Sequence, residues 1–308
     1  MLFENLEDIE IPSCISGKVA VKLHMGERGN KTHVSREEVD LVLDKIRENN
    51  GIPFLVDSLT LYPNARYTVE GYEAVARENG FEGLHLEIAS NEDITLINGI
   101  PVINPVLGAD SLLVLSHGKG HAATGFGGAI KNLGMGCTSR EGKKWMHFPA
   151  FPKYDRKLCA HCGACADSCP FGFIGFDSTK KIPAFDLSDC CGCGSCTDSC
   201  PAKALYKERE ANEEVMDRIC RGAHAVTEYF LKNRGNRVFY VMVLKRITES
   251  CDCVAESEII APDIGFLSAS NPLEIDEEAV SLLKEKSPAA ALEWGAWELF
   301  KKVAAKYF

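Results

Sequence analysis

Two runs of cysteine carry the strongest chemical signal in this 308-residue chain. The first is Cys159-x2-Cys162-x2-Cys165-x3-Cys169-Pro170. The second, 31 residues on, is Cys190-x2-Cys193-x2-Cys196-x3-Cys200-Pro201. Thiolates spaced in this way let a short loop wrap one face of a [4Fe–4S] cluster with backbone N–H groups turned to the sulfurs. The fourth cysteine, followed by proline, lies past a turn and reaches the other cluster of the pair. The spacing predicts cluster I on Cys159, Cys162, Cys165 and Cys200, and cluster II on Cys190, Cys193, Cys196 and Cys169. Zinc is the alternative, since paired C-x2-C motifs serve it well, but a zinc site closes on four ligands and does not need the rest of each run. Cys191 departs from the spacing that Cys190 keeps and reads as a bystander. The chemistry expected is one-electron transfer.

A second constellation lies at 116–136, SHGKGHAATGFGGAIKNLGMG, where His117, Lys119, His121, Lys131 and Asn132 are interleaved with seven glycines. Lysine supplies a point charge, and histidine can serve as acid, base or metal ligand. Gly125, Gly127 and Gly128 could let backbone amides approach an anion such as phosphate. Gly118-x-Gly120-x-x-Ala123 matches a dinucleotide fingerprint only superficially, because the later glycines interrupt the helix that should follow. No P-loop is present. Lys22, His24 and Asp57 fall at comparable strand ends. Downstream, Cys251 and Cys253 are placed to ligate a metal or offer a thiolate, or they are buried structural cysteines. Asp263 follows nearby. The alternative for the whole loop is a tight structural turn with solvated charges.

The elements that must position these groups alternate strand and helix. Val19–His24 shows period two, and Ser35 with Glu38 reads as a capping box opening a helix to about Asn49. Residues 53–56 form a short buried strand, 68–79 a helix stopped by Gly80, and 84–89 another strand. Residues 111–116 are the strongest strand. The pattern resumes after the cysteines with a helix over 208–233, a strand over 237–244, a weaker one at 259–261, and helices over 276–286 and 289–306. This predicts an α/β fold, a mostly parallel or mixed sheet with helices on both faces. A lone strand at 237–244 needs a sheet to join, so residues 152–206 read as an insert, with 1–151 and 207–308 forming one discontinuous α/β domain. Three consecutive units are the alternative. With nine cysteines and few apolar runs, the insert should depend on its clusters for stability.

The formal net charge is −10, which argues against nucleic acid or an anionic membrane surface as partner. No apolar run suits a membrane span, the first residues lack a signal-peptide pattern, and fourteen cysteines in such a chain point to metal rather than disulfides. A cytoplasmic location is expected. Residues 151–206 balance six basic against six acidic residues, which suits a module serving its own chain more than a free shuttle.

VKLHMGERGN at 21–30, the 116–136 loop, CDC at 251–253 and APDIGFLSASNPLEID at 261–276 resemble the uncharacterised "Fe–S center protein" family, whose core is domain of unknown function 362. The likeness runs nearly end to end. It implies an α/β core with an inserted two-cluster ferredoxin-like α+β module, and it supplies no reaction. Asn271 stands where the family leads one to expect an acidic residue. The leading expectation is an oxidoreductase passing electrons through two [4Fe–4S] clusters to a substrate or second cofactor in the Gly/His/Lys-rich pocket. That second cofactor could be a flavin, its phosphate on the glycines, or an additional metal on His24, His117, His121, Cys251 or Cys253. The partner is then a redox protein or a small-molecule substrate. A non-catalytic electron carrier with a docking domain, and a cofactor-maturation protein, are the alternatives.

Overall fold

The computed structural model describes every residue except 178, 180, 181, 289, 291 and 293. Leucine- and valine-rich runs bounded by glycine and polar turns form β1 (Leu2–Phe3), β2 (Gly17–Lys22), β3 (Gly51–Ser58) and β4 (Leu86–Ala89), with α1 (Arg36–Glu48) and α2 (Val69–Ala76) among them. A hairpin of β5 (Ile94–Ile97) and β6 (Ile100–Ile103), then one turn of helix, α3 (Asn104–Leu107), lead into β7 (Ser111–His117). The small hairpin β8 (Lys119–His121) and β9 (Gly125–Gly127) precedes α4 (Ala129–Gly136) and α5 (Arg140–His147). Short elements follow: β10 (Lys153–Tyr154), α6 (Ala164–Asp167), β11 (Ile174–Asp177), β12 (Ile182–Phe185), α7 (Ser195–Asp198) and β13 (Leu205–Tyr206). The chain ends with α8 (Ala211–Asn233), β14 (Val238–Leu244), β15 (Gly265–Ala269), α9 (Pro272–Lys286) and α10 (Trp294–Ala304).

Seven strands form one sheet in the order β1-β15-β14-β7-β2-β3-β4. The run from β14 to β4 is parallel, and β15 and β1 add an antiparallel edge. The fold is therefore mixed α/β with a mostly parallel sheet. Period-two alternation divides the core. Val19, Val21, Leu113, Leu115 and Val241 pack on α1 and α2, while Ala20, Leu112, Val114, Tyr240 and Met242 pack with Ile130 of α4 and Ile219 and Val226 of α8. Burial on both faces is why these strands read as continuous apolar runs.

The capping box at Ser35 and Glu38 is present. Asn271 accepts from the Leu273 and Glu274 amides at the start of α9, a role Asp and Asn fill equally well. The weak strand expected at 259–261 makes only an isolated bridge, Ile259 to Thr248. The strand lies later, at Gly265, where a Cβ would stand 2.3 Å from the Phe3 carbonyl oxygen. Only glycine lets β1 and β15 meet so closely. The helix expected from 276 begins at Pro272. The start of the one expected at 289 lies outside the described residues, and α10 opens at Trp294.

Strands β10 and β13 pair antiparallel, Lys153 with Tyr206, so the chain enters and leaves the cysteine segment at one point. Positions 31 apart repeat their geometry. His161 and Gly192, Gly163 and Gly194, and Gly172 and Lys203 all have left-handed φ. Ser168 Oγ meets its equivalent Ser199 Oγ at 2.8 Å, where the two halves face each other.

Candidate functional site

A parallel sheet puts the carboxyl ends of its strands on one edge, the usual place for a ligand crevice. Here β2, β3 and β7 end at Lys22, Ser58 and His117, and they open onto a cleft of ≈ 970 Å³ counted to its mouth. Lys22, His24, Asp57, His117, Lys119, His121, Gly127, Gly128, Lys131, Asn132, Cys251 and Cys253 all line it. Residues with no motif join them: Tyr62 and Arg66 from the loop after β3, Lys143 and His147 from α5, and Asp252.

Several of these groups brace the cleft. Lys22 Nζ lies 3.0 Å from Asp57 Oδ1 and donates to Asn132 Oδ1 at 2.7 Å. Asn132 in turn donates to the Leu115 carbonyl (3.0 Å) and Ser116 Oγ (3.1 Å), and Tyr72 donates to Asp57. Three strands and α4 are thus tied by one polar network. At Gly136 a Cβ would stand 2.3 Å from Lys22 Nζ, so the lysine can lie flat only over glycine. His117 has Nδ1 2.9 Å from Asp252 Oδ1 and Nε2 2.8 Å from the Lys245 carbonyl, so both ring nitrogens are occupied. Lys119 Nζ takes Asp252 Oδ2 at 2.7 Å. These two residues hold the 251–253 turn in place and are not free acids or bases.

The reactive groups lie above this brace. Cys253 Sγ is 3.6 Å from His24 Nε2, and Arg66 Nη1 is 2.9 Å from the same nitrogen. The Cys251 thiol donates to Cys253 and, against the effect of burial, holds Cys253 well below the usual thiol range, with help from His24 and Lys131. Cys251 is pushed up by the same contact and by burial. Burial alone would raise Asp252 and Asp57. His117 and Lys119 hold Asp252 well below the normal range, and Lys22 and His24 lower Asp57. Burial and neighbouring cations push three histidines down: Arg66 acts on His24, and Lys131 acts on His121 and on His147, which falls to about 4. Burial brings Lys143 down to about 7. These shifts favour neutral His24, His121 and His147, a Cys253 thiolate and a charged Lys131.

The glycines do not cradle an anion. The first two amides of α4, Ala129 N and Ile130 N, donate to Asp276 of α9 at 2.6 and 3.1 Å. A Cβ at Gly128 would stand 2.2 Å from Asp276 Oδ1. Gly128 is a glycine for close packing, a Cβ at Gly127 would meet only ordinary contacts at 3.6 Å and beyond, Gly125 lies off the cleft, and the expected phosphate position at this helix end is already filled by a carboxylate. Burial pushes that carboxyl up to about 7. Asp263 also lies outside the cleft, where it accepts from the Arg246 amide at 2.7 Å.

Two further cavities lie among the cysteines. One, of ≈ 400 Å³, is lined by Cys169, Cys190, Cys193 and Cys196, with Cys191 at its wall. The other, of ≈ 350 Å³, is lined by Cys159, Cys162, Cys165 and Cys200. The left-handed residues His161 and Gly192 turn their amides onto Cys159 Sγ and Cys190 Sγ, each at 3.4 Å. Among the described residues no three His, Cys, Asp or Glu side chains stand close enough to share a single metal ion. The first cavity adjoins the cleft. Phe171 lines that cavity, and its ring lies 4.7 Å from Tyr62 in the cleft. His147 faces the Cys191 backbone.

These observations define an α/β protein with a charged strand-end cleft beside a cysteine-lined segment. The family model described as "Domain of unknown function (DUF362)" matches residues 19–281, and the chain belongs to that family. No curated protein sequence matches the chain. Among solved structures, the lactate racemase apoprotein from Thermoanaerobacterium thermosaccharolyticum aligns with a TM-score of 0.47 at 12% identity, covering 92% of this chain and 56% of that one. A structural-genomics protein from Thermotoga maritima aligns with a TM-score of 0.39 at 12% identity, over 88% and 55%. The chain thus spans little more than half of each of these structures. Among the described residues no helix is long and apolar enough to cross a membrane.

Proposed function

We propose that this chain is an iron–sulfur electron-transfer protein, an oxidoreductase in which residues 152–206 form a ferredoxin-like module serving a substrate or second cofactor in the strand-end cleft. One observation carries the reading. Each cysteine-lined cavity takes three cysteines from one run and the fourth from the other, the interleaving that two [4Fe–4S] clusters require. The donor set fits: four thiols at the motif positions of each cavity, with Cys191 a fifth at the wall of the first, backbone amides on the sulfurs, and no carboxylate in either lining. Each thiolate of such a cluster binds a different iron, which accords with the absence of a compact single-ion site among the described residues.

Cys159, Cys162, Cys165 and Cys200 would hold one cluster, and Cys190, Cys193, Cys196 and Cys169 the other. When bound, such clusters supply one-electron transfer. The protein's own part is placement. The Tyr62–Phe171 ring contact and the His147–Cys191 approach hold the Cys190 cavity against the cleft, and Lys22, Asp57, Asn132 and the His117–Asp252–Lys119 group keep the cleft rigid. Iron and acid-labile sulfide analysis of anaerobically purified protein tests the reading. About eight irons per chain are expected. About four would remove one cluster, and none, after reconstitution of a folded chain, would overturn the proposal.

A further inference from the structure

The cleft's charges are mostly matched. Lys22 has Asp57, Lys119 has Asp252, and Arg66 has Glu27 at 3.1 Å. Two lysines stand apart from these pairs. Lys131 has no hydrogen-bond or carboxylate partner among the described residues, although it projects from α4 into the cleft. Lys143 has only the neutral Ser58 Oγ and the Thr138 carbonyl. A third observation points the same way. Arg66 is 2% exposed, yet its Nη2 has no partner. A buried guanidinium corner left unsatisfied is costly unless something outside the chain completes it.

We propose that the cleft binds a small monocarboxylate, its carboxylate group received by Lys131 with Arg66 as the second donor. This rests on the oxidoreductase reading and names the substrate class for the same site. Two arguments favour carboxylate over phosphate. Phosphate sites are commonly built from helix N-terminal amides, and here those of α4 are occupied by Asp276. The excess positive charge is also small, because Asp57, Asp252 and Glu27 already match Lys22, Lys119 and Arg66, and a dianion would leave negative charge buried without a match. Neutral His24 and His121 and the Cys251–Cys253 pair then face the rest of the ligand.

Propionate, pyruvate and inorganic phosphate, titrated by calorimetry into the anaerobic protein as purified, test the proposal. The native chain is compared with Lys131→Met and the charge-retaining Lys131→Arg, with folding checked by circular dichroism and iron counted on the same samples. Saturable binding of at least one monocarboxylate is expected, with phosphate at least tenfold weaker. Lys131→Met should lose at least tenfold, and Lys131→Arg should retain most of the affinity. No saturable carboxylate binding, phosphate binding as tight as carboxylate, or equal affinity in folded native and Lys131→Met protein would overturn it. The iron count separates the two claims. Eight irons without carboxylate binding refutes this inference alone, whereas carboxylate binding to a folded chain that takes up no iron refutes the electron-transfer reading alone.

Discussion

Replacing Asp57 by asparagine isolates the charge at the floor of the cleft. Asparagine keeps the volume and an oxygen to accept from Tyr72. It removes the anion 3.0 Å from Lys22 Nζ. The two side chains are 1% and 4% exposed, so water cannot take the lost partner's place, and Lys22 is left with the neutral Asn132 Oδ1 at 2.7 Å. Stranding one member of a buried pair costs about 3–5 kcal/mol. At about 2.1 cal/mol/K per residue, a chain this long has an unfolding entropy of roughly 0.65 kcal/mol/K. A loss of about 4 kcal/mol then lowers Tm by roughly 6 °C. Because the cost is the stranded ammonium and not the pair itself, Lys22→Met combined with Asp57→Asn should recover more than half of the loss. Scanning calorimetry under anaerobic conditions reads both. A drop of less than about 2 °C in the single variant, on the same entropy scale, or a double variant no more stable than the single, would refute the reasoning.

Burial holds the Asp276 carboxyl at about 7, far above the 3.8 of a free aspartate, so the folded chain holds this proton more tightly than the unfolded one. Its contribution to stability is complete below pH 3.8 and is lost as pH rises through about 7, at about 1.4 kcal/mol per pH unit. Asp276→Asn lacks this dependence, so urea melts at pH 4.5 and 7.5 should show the variant gaining on the native chain by several kcal/mol; a pH-independent difference would contradict the burial argument. Cys165→Ser should halve the iron content and raise amide exchange across residues 153–206 while leaving β2, β3 and β7 protected. Unchanged exchange in that segment after iron loss would show that it stands without its clusters.

Much of the fold was legible because its signals are local. The all-apolar β7 announces burial on both faces, the Ser35–Glu38 pair announces a helix start, and parallel strand ends bring Lys22, Asp57 and His117 together without any contact being known. What escaped notice depends on distance along the chain. Asp276 reaches Ala129 across 147 positions, so Gly128 looked like part of a ligand cradle when it makes room for a carboxylate. Tyr62 and Arg66 sit on a loop with no repeating pattern. Lys143 and His147 did leave a trace, being four residues apart on α5 and therefore on one face. Asp252 was overshadowed by the cysteines on either side, although it is the residue that His117 and Lys119 hold.

The exchange of the fourth cysteine between the two runs has a consequence for their history. A single run on its own would offer three thiols around one hollow and a fourth with nowhere to go. Two such runs, meeting at the Ser168–Ser199 contact, complete each other's cavity as the halves of an isologous dimer do. Residues 153–206 are in that sense a symmetric pair of subunits fused into one chain, with the Lys153–Tyr206 ladder as the seam through which the rest of the protein is attached. Removing either half would leave the other's cavity short of its fourth motif cysteine.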